Sequence, residues 1–486
     1  MKKLFSTLFL LCMFTAILFG LYKVTLNQTD EGCIQLADFY KLEENTVDVL
    51  FVGSSHVYYS VNTCQLYDDY GIASYLLASP GQPIWISYYF LEEALKTQSP
   101  ELVVFDVCTL YRKESEIGTA SLPSLISMKP SARKWKAIRA VNAQGQLLDS
   151  VGAFFAFPYY HTRYVQSKKQ EQRYHGYKPE FHVISKSELK KWQNPDRSDF
   201  DLLEPVSEQT ENYLRKMIRL CKENGIRMLL VNSPYLNQTK EKQMAYNYVF
   251  QIAREYGVPY IDSNRVKEMQ IDFAADLFEP SHLNYYGALK YTKYLAEWFE
   301  KHYEIPDRRN DDRYENWEEA SKQLEHSQLY RRTLKKLKKK ASMADYVQAV
   351  RQLEECIMVV YQKPAGMLYV FDHNQLVFSN NSEKAYFKHW HLGKSDLAVT
   401  CGKGQLTVMV DRKEYLDTEQ GINILVYDKV AQDVIDVAGF DKTEFDAAGF
   451  DKTEFDAAGF DKAEFDAAGF GKTEFDAAGF VKKSLD

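Results

Sequence analysis

Val47-Asp48-Val49-Leu50-Phe51-Val52-Gly53-Ser54-Ser55-His56 is an apolar run that ends on a glycine, two serines and a histidine. The run at 47–52 predicts a buried strand, and its polar end predicts a tight strand-to-helix turn. Gly53 permits such a turn. A serine placed there stands at the C-terminal edge of a sheet, where ligands of open α/β folds bind. Its own N–H and the neighbouring amides point toward a helix N-terminus, which stabilises negative charge.

Outward from this stretch, short apolar runs alternate with amphipathic segments. SYLLA (74–78), LVVFDV (102–107), RMLLV (227–231) and PYID (259–262) read as four more strands. Runs this apolar fit a parallel sheet covered on both faces. Ile84, Tyr88, Leu91 and Leu95 share one helical face. Leu214, Ile218 and Cys221 share another, closed by Gly225, and Met244, Tyr248 and Ile252 a third, closed by Gly257. The expectation is a doubly wound α/β domain at 25–305 with a parallel five-stranded sheet. An insertion at 112–207 separates the third strand from the fourth and is expected to cover the site.

The chain has 486 residues, of which 26% are charged and 45% hydrophobic. That length predicts two or three domains. The formal charge is −7. Four ten-residue units at 441–480 account for all of it, with −2, −2, −2 and −1, so the remainder is close to neutral. An overall basic field of the kind that binds nucleic acid is thereby excluded. Leu4 to Tyr22 is nearly all apolar, about long enough to cross ~30 Å of hydrocarbon. Lys2 and Lys3 precede it, which places the body outside the cytoplasm. No small-residue cleavage site follows, so 1–24 is expected to be an uncleaved transmembrane anchor. The seven cysteines are scattered, without a CxxC pair. They read mostly as free core thiols, with room for one disulfide and a metal site improbable.

The chemistry lies further along the chain. A serine is a weak nucleophile until a base within hydrogen-bond reach activates it and a third group orients that base. Asp276-Leu277-Phe278-Glu279-Pro280-Ser281-His282-Leu283-Asn284 follows the last strand and precedes an amphipathic helix with Ala288, Tyr291, Leu295 and Trp298. His282 is therefore expected on a loop at the sheet edge that carries Ser55. Glu279 lies three residues before it and can hold its imidazole.

This set resembles the SGNH (GDSL-type) hydrolase superfamily over residues 47–302, a flavodoxin-like fold. The resemblance implies that Ser55 is the nucleophile, in Gly53-Ser54-Ser55. His282 is then the base and Glu279 its orienting carboxylate. The backbone N–H groups of Ser55 and of Gly81, in Ser79-Pro80-Gly81-Gln82, would form the oxyanion hole. The family's third block supplies an Asn after strand three. Here that region reads Asp106-Val107-Cys108-Thr109-Leu110-Tyr111, without one. Thr109 or a group from the insertion is the candidate stand-in. His56, His161, Arg163 and Lys178 are candidate substrate contacts, since aromatic-rich segments with cations suit sugars bearing carboxylate or phosphate. Neither a metal nor an organic cofactor is implied.

Residues 306–345 are highly charged and helix-prone, as a solvated linker would be. From 346 to 440, strands at 367–371, 397–400, 405–410 and 422–427 predict a β-rich domain. Gly421-Ile422-Asn423-Ile424-Leu425-Val426-Tyr427-Asp428 and Gly439-Phe440-Asp441 resemble the close of the interleukin-like EMT-inducer (PANDER-like) β domain. That likeness implies a glycan-binding module. Phe recurs every five residues from Phe440 to Phe480, resembling pentapeptide-repeat proteins. The nine fives make only about two coils of that fold, so an acidic, partly disordered tail at 441–486 is expected.

Together these features predict a membrane-anchored, extracytoplasmic serine esterase or O-acyltransferase. Its partner would be an acylated cell-envelope polysaccharide, with acetyl the foremost acyl group. Transfer would add a membrane-bound acyltransferase as a second partner. The alternative is a catalytically inactive glycan-binding or assembly protein that keeps the fold.

Overall fold

The computed structural model describes residues 31–112, 124–142, 147–155, 174–192 and 201–338. It also describes most of 342–443 and scattered positions between 5 and 20. Two compact units result, Met1–Ser321 and Lys322–Asp486.

In the first unit, α1 is Glu31–Phe39, β1 Val49–Gly53, α2 Ser55–Ser60, α3 Thr63–Tyr70, β2 Ser74–Ala78, α4 Ile84–Ala94 and β3 Leu102–Asp106. The insertion contributes α5 (Ala132–Val141), α6 (Leu147–Phe155) and α7 (Lys186–Lys191). There follow α8 (Glu208–Glu223), β4 (Arg227–Asn232), α9 (Lys240–Tyr256) and β5 (Tyr260–Asp262). The hairpin strands β6 (Leu277–Glu279) and β7 (His282–Leu283) lead into α10 (Tyr285–His302).

The first five strands form one parallel sheet in the order β2-β1-β3-β4-β5. All five C-terminal ends therefore reach one edge, and the order reverses beside β1. Side-chain alternation explains why such apolar strands are needed. Leu50, Val52, Val103, Phe105 and Leu230 point to one face, against Ile84, Phe90, Leu91, Leu214, Ile218 and Val249. Phe51 points the other way and meets Phe299 of α10, with ring centroids 6.2 Å apart. With both faces covered, polar residues in these strands are confined to their ends, at Ser74, Asp106, Arg227, Asn232 and Asp262.

Two local expectations shift. The buried face of α9 is Ala245, Tyr246, Val249, Ile252 and Ala253, while Met244 and Tyr248 are only half-buried. The helix is rotated by about one residue because Tyr246 hydrogen-bonds inward to the Cys108 carbonyl at 2.9 Å. The unit also extends past the expected boundary at 305. Arg308 grips the buried Asp48 carboxylate with two nitrogens, at 2.7 and 3.0 Å, and Tyr314 and Trp317 enter the core. Trp317 donates to the Ser74 carbonyl at 3.1 Å. The supposed linker thus starts as packed structure, since its charged residues alternate with aromatics that bury.

Part of the insertion is built into the same unit. His175 accepts from the Leu76 N–H at 3.0 Å and stacks on Trp317 with centroids 4.3 Å apart. Burial holds its imidazole down at about 3, so it stays neutral. Beyond it, Ile184 and Glu180 bond to Leu277 and Tyr285 at 2.8 and 2.6 Å. His161 and Arg163 lie outside the described residues.

Among the described residues, the second unit contains most of α11 (Glu315–Lys338), α12 (Met343–Arg351) and nine strands. These are β8 (Cys356–Lys363), β9 (Leu368–Asp372), β10 (Gln375–Asn380), β11 (Tyr386–Leu392), β12 (Ser395–Gly402), β13 (Gln405–Val410), β14 (Lys413–Glu414), β15 (Gly421–Asp428) and β16 (Asp433–Phe440). They make two antiparallel sheets, β10-β9-β8-β15-β16 and β11-β12-β13-β14. Ile357, Val359, Tyr361 and Leu425 pack between the sheets with Trp390, Leu397 and Val408. Met358, Val360, Ile424 and Val426 pack on the opposite face against Leu334, Tyr346 and Val347. The strands at 356–363, 375–380, 386–392 and 433–440 are additional to those expected from sequence. In the strands at 375–380, 386–392 and 433–440, polar and charged residues obscure an alternation that pairing makes plain.

Cys64, Cys108, Cys221, Cys356 and Cys401 are buried free thiols. Burial pushes the Cys221 thiol up to about 12, which leaves it unreactive. Among the described residues no helix is long and apolar enough to cross a membrane. The stretch 4–22 lies largely outside those residues, and 444–486 lies wholly outside them.

Gly176 has φ +91°, and a Cβ there would sit 2.5 Å from the Leu76 carbonyl oxygen. Gly225 has φ +71° with open space around it. Gly225→Ala should cost about 1 kcal/mol from left-handed strain alone. Gly176→Ala should cost about 2–4 kcal/mol, since it adds a backbone clash. Urea midpoints for the first unit check this, and equal losses would refute the anchoring of the insertion on β2.

Candidate active site

The turn after β1 sends its two serines to different places. Ser54 is buried, and its Oγ lies 3.2 Å from the Cys108 thiol beyond β3. Ser55 opens α2, and its Oγ lies 2.7 Å from Nε2 of His282. The other ring nitrogen, Nδ1, is hydrogen-bonded to the Glu279 carboxylate. The three predicted residues are thus joined in one chain of hydrogen bonds at the C-terminal edge of the sheet. Gly53 makes the turn tight: a Cβ there would meet Val57 Cγ2 at 2.6 Å and Asp106 Cβ at 3.0 Å.

His282 is not on an open loop. It begins β7, directly across a two-stranded hairpin from Glu279. Strand pairing therefore sets the contact that a spacing of three residues only suggested. The Pro280 carbonyl accepts from the Leu236 N–H at 2.8 Å, and Asn237 donates to Ser281 at 2.9 Å. Asn284 closes the hairpin onto α10. Its side-chain oxygen accepts from Tyr286 and Gly287, capping the helix. Its amide donates to the Ala275 and Leu277 carbonyls at 2.7 and 3.2 Å.

The imidazole of His282 is lined by rings. Tyr59 lies 4.9 Å away, Phe278 stacks at 5.7 Å, and His56 lies at 5.0 Å. Its side chain is 13% exposed against 44% for Glu279, so the imidazole is inside and its carboxylate partner at the rim. The hydrogen bond to His282 lowers the Glu279 pKa below the usual carboxylate value, against an opposing effect of burial. Burial pulls the His56 pKa well below 6.5, reinforced by His282 and Lys242. His56 is thus neutral near pH 7 and adds no charge beside the His282 ring. Its Nδ1 is buried without a hydrogen-bond partner, and its ring meets Tyr235 edge-on at 5.0 Å.

Gly81 lies in the turn after β2, three residues beyond the Gly53–Ala78 pair, with φ +58°. Gln82 braces that turn, accepting from Ser79 at 2.8 Å and donating to Ser87 at 2.9 Å. Thr109, the candidate stand-in for the missing Asn, gives its hydroxyl to the Gln82 carbonyl at 3.1 Å. The rest of that block turns inward. The buried Asp106 carboxylate accepts from the Cys108 N–H at 2.8 Å and the Ser233 N–H at 3.0 Å, tying β3 to β4. Burial raises the Asp106 pKa despite those bonds.

Lys178 is nearly buried. Its N–H bonds to the Tyr58 carbonyl at 2.8 Å, and its ammonium stands 5.5 Å from the Tyr59 ring. It therefore sits beside the residue that lines His282. Sequence reading passed over Tyr59, Phe278 and Asn284. Only Asn284 carried a local signal, as a capping residue ahead of an amphipathic helix.

A protein-family model matches residues 195–304, which include α8, the hairpin and α10. No curated protein matches the chain. Among solved structures, the chain is similar to one from Bacteroides fragilis described as a "putative acylhydrolase". Identity is 14% and the TM-score 0.28, over 55% of this chain and 94% of that one.

A lowered carboxylate pKa stabilises the fold above the unfolded value, and that contribution is lost as pH falls through the folded value. His282→Ala removes the lowering influence and leaves that of burial, so the Glu279 pKa should rise. Carbon-detected NMR titration of labelled glutamates checks this. An unmoved Glu279 would mean that the pair is not coupled in solution.

Proposed function

We propose that this protein is an SGNH-type serine esterase or O-acyltransferase. Its substrates are acyl esters, foremost acetyl esters, of cell-envelope polysaccharide. The observation that carries the reading is the bonded series Ser55–His282–Glu279, with 2.7 Å between Ser55 Oγ and His282 Nε2. Ser55 Oγ attacks the ester carbonyl while Nε2 takes its proton. Glu279 holds the Nδ1 proton and stabilises the imidazolium. The Ser55 and Gly81 amides hold the oxyanion. His282 then returns the proton to the departing alcohol. A water or a sugar hydroxyl, deprotonated by the same imidazole, releases the acyl group from serine. Lys178 and His56 are proposed as substrate contacts near the site, and His161 and Arg163 remain candidates for its outer reach.

In this proposal the chain lies outside the cytoplasm on an N-terminal anchor. In support, helical Phe5, Phe9, Leu10, Met13, Phe14 and Ile17 leave 46–75% of their surface uncovered, as suits a hydrocarbon surround. The β-rich unit is assigned to glycan binding, and a membrane-bound acyltransferase is the donor if the reaction is transfer. A second reading, a non-catalytic glycan-binding protein, is favoured by Thr109. It stands where the Asn donor would follow, yet its hydroxyl bonds to Gln82. Removing one oxyanion donor costs on the order of 10²–10³ in rate.

A fluorophosphonate probe decides between the two. Wild type should label and Ser55→Ala should not. Glu279→Gln should slow hydrolysis of an acetyl ester by on the order of 10²–10⁴. Folded wild type that neither labels nor hydrolyses would leave only the binding role.

A further inference from the structure

In β11 of the second unit, Trp390 and Leu392 point into the core, each 4% exposed. His389 and His391 alternate with them and so share the opposite face. Antiparallel pairing puts Asp396 of β12 directly across from His391, and Ala398 across from His389. Asp396 thus stands opposite one imidazole and diagonal to the other. Its Oδ1 lies 2.6 Å from His391 Nδ1 and 3.5 Å from His389 Nε2. The two rings are perpendicular, with centroids 4.8 Å apart. Ala398 adds little bulk on this face.

The geometry points to a binding site for a divalent transition metal of the zinc class on this hairpin, held by His389 Nε2, His391 Nδ1 and the Asp396 carboxylate. The three donor atoms all lie within 4.8 Å of one another. A tetrahedral ion with bonds of about 2.0–2.1 Å needs donors about 3.3 Å apart, within that spread. The His391 side chain is 54% exposed, so it has room to swing outward from its contact with Asp396. Asp396 is fixed from behind, because its N–H donates to Asp411 at 2.8 Å and its carbonyl accepts from the Asp411 N–H at 2.8 Å. Two imidazoles with one carboxylate suit zinc, copper or nickel, whereas calcium and magnesium favour oxygen donors throughout. Three protein ligands leave a coordination position open to water or to a ligand oxygen. The set escapes the sequence because its carboxylate arrives from the next strand.

Chelator-treated full-length protein titrated with zinc chloride, followed by calorimetry, tests the site. Wild type should show a saturable one-to-one event. His389→Asn combined with His391→Asn should abolish it, and Asp396→Asn should weaken it at least about tenfold. Circular dichroism of each variant establishes that the fold persists. Zinc binding equal in wild type and the double variant would overturn the proposal, because the ion would then sit elsewhere, for example at His56 and His282. Absence of saturable binding, or tighter binding of calcium than of zinc, would overturn it too.

Discussion

The hydrogen bond between Ser55 and His282 joins residues separated by 227 positions, and the arrangement of the first unit answers to it. Neither side chain can reach the other unless β1 and the hairpin before α10 come to the same rim. A parallel sheet guarantees half of this, because every strand delivers its C-terminal end to one edge. The other half comes from the hairpin, which the Leu236 and Asn237 amides and Asn284 hold in place. The serine and the imidazole are thus positioned by backbone, and neither depends on a long flexible side chain to close the gap.

Around that bond the polar groups divide into those that meet at the sheet edge and those sealed into the fold. Ser54, Asp106, Cys108 and Ser233 face inward and tie the ends of β1, β3 and β4 together. Each buried donor there finds an acceptor, as an interior of low polarity demands. His56 Nδ1 is buried without a partner, as are Ser60 Oγ and Asn232 Oδ1 among the described residues. A neutral imidazole tolerates this better than a charged one, and its lowered pKa has that origin. A neutral His56 therefore adds no further positive charge beside the His282 imidazole.

The second unit applies the same alternation to a different end. Strands β8 and β15 are apolar on both sides, since helices cover one face and a second sheet the other. Strands β11 and β12 are apolar on one side only, which frees their outer face for histidine and aspartate. Burial on one side therefore leads directly to a polar cluster on the other.

The sequence by itself determined the parallel sheet, because five short apolar runs separated by amphipathic segments have few other ways to hide both faces. It also determined the candidate nucleophile, base and carboxylate. A serine after a strand and an acid three residues before a histidine are local patterns, and local patterns survive in one dimension. Tertiary structure decided the rest. It turned Ser54 inward and Ser55 outward, set Glu279 against His282 through strand pairing, and lined the imidazole with Tyr59 and Phe278. It carried Tyr314 and Trp317 back into the first core from a segment that reads as a solvated linker. It also brought Asp396 to His389 and His391. Each of these depends on which distant residues share a face, and that is fixed only when the strands choose their neighbours and their register.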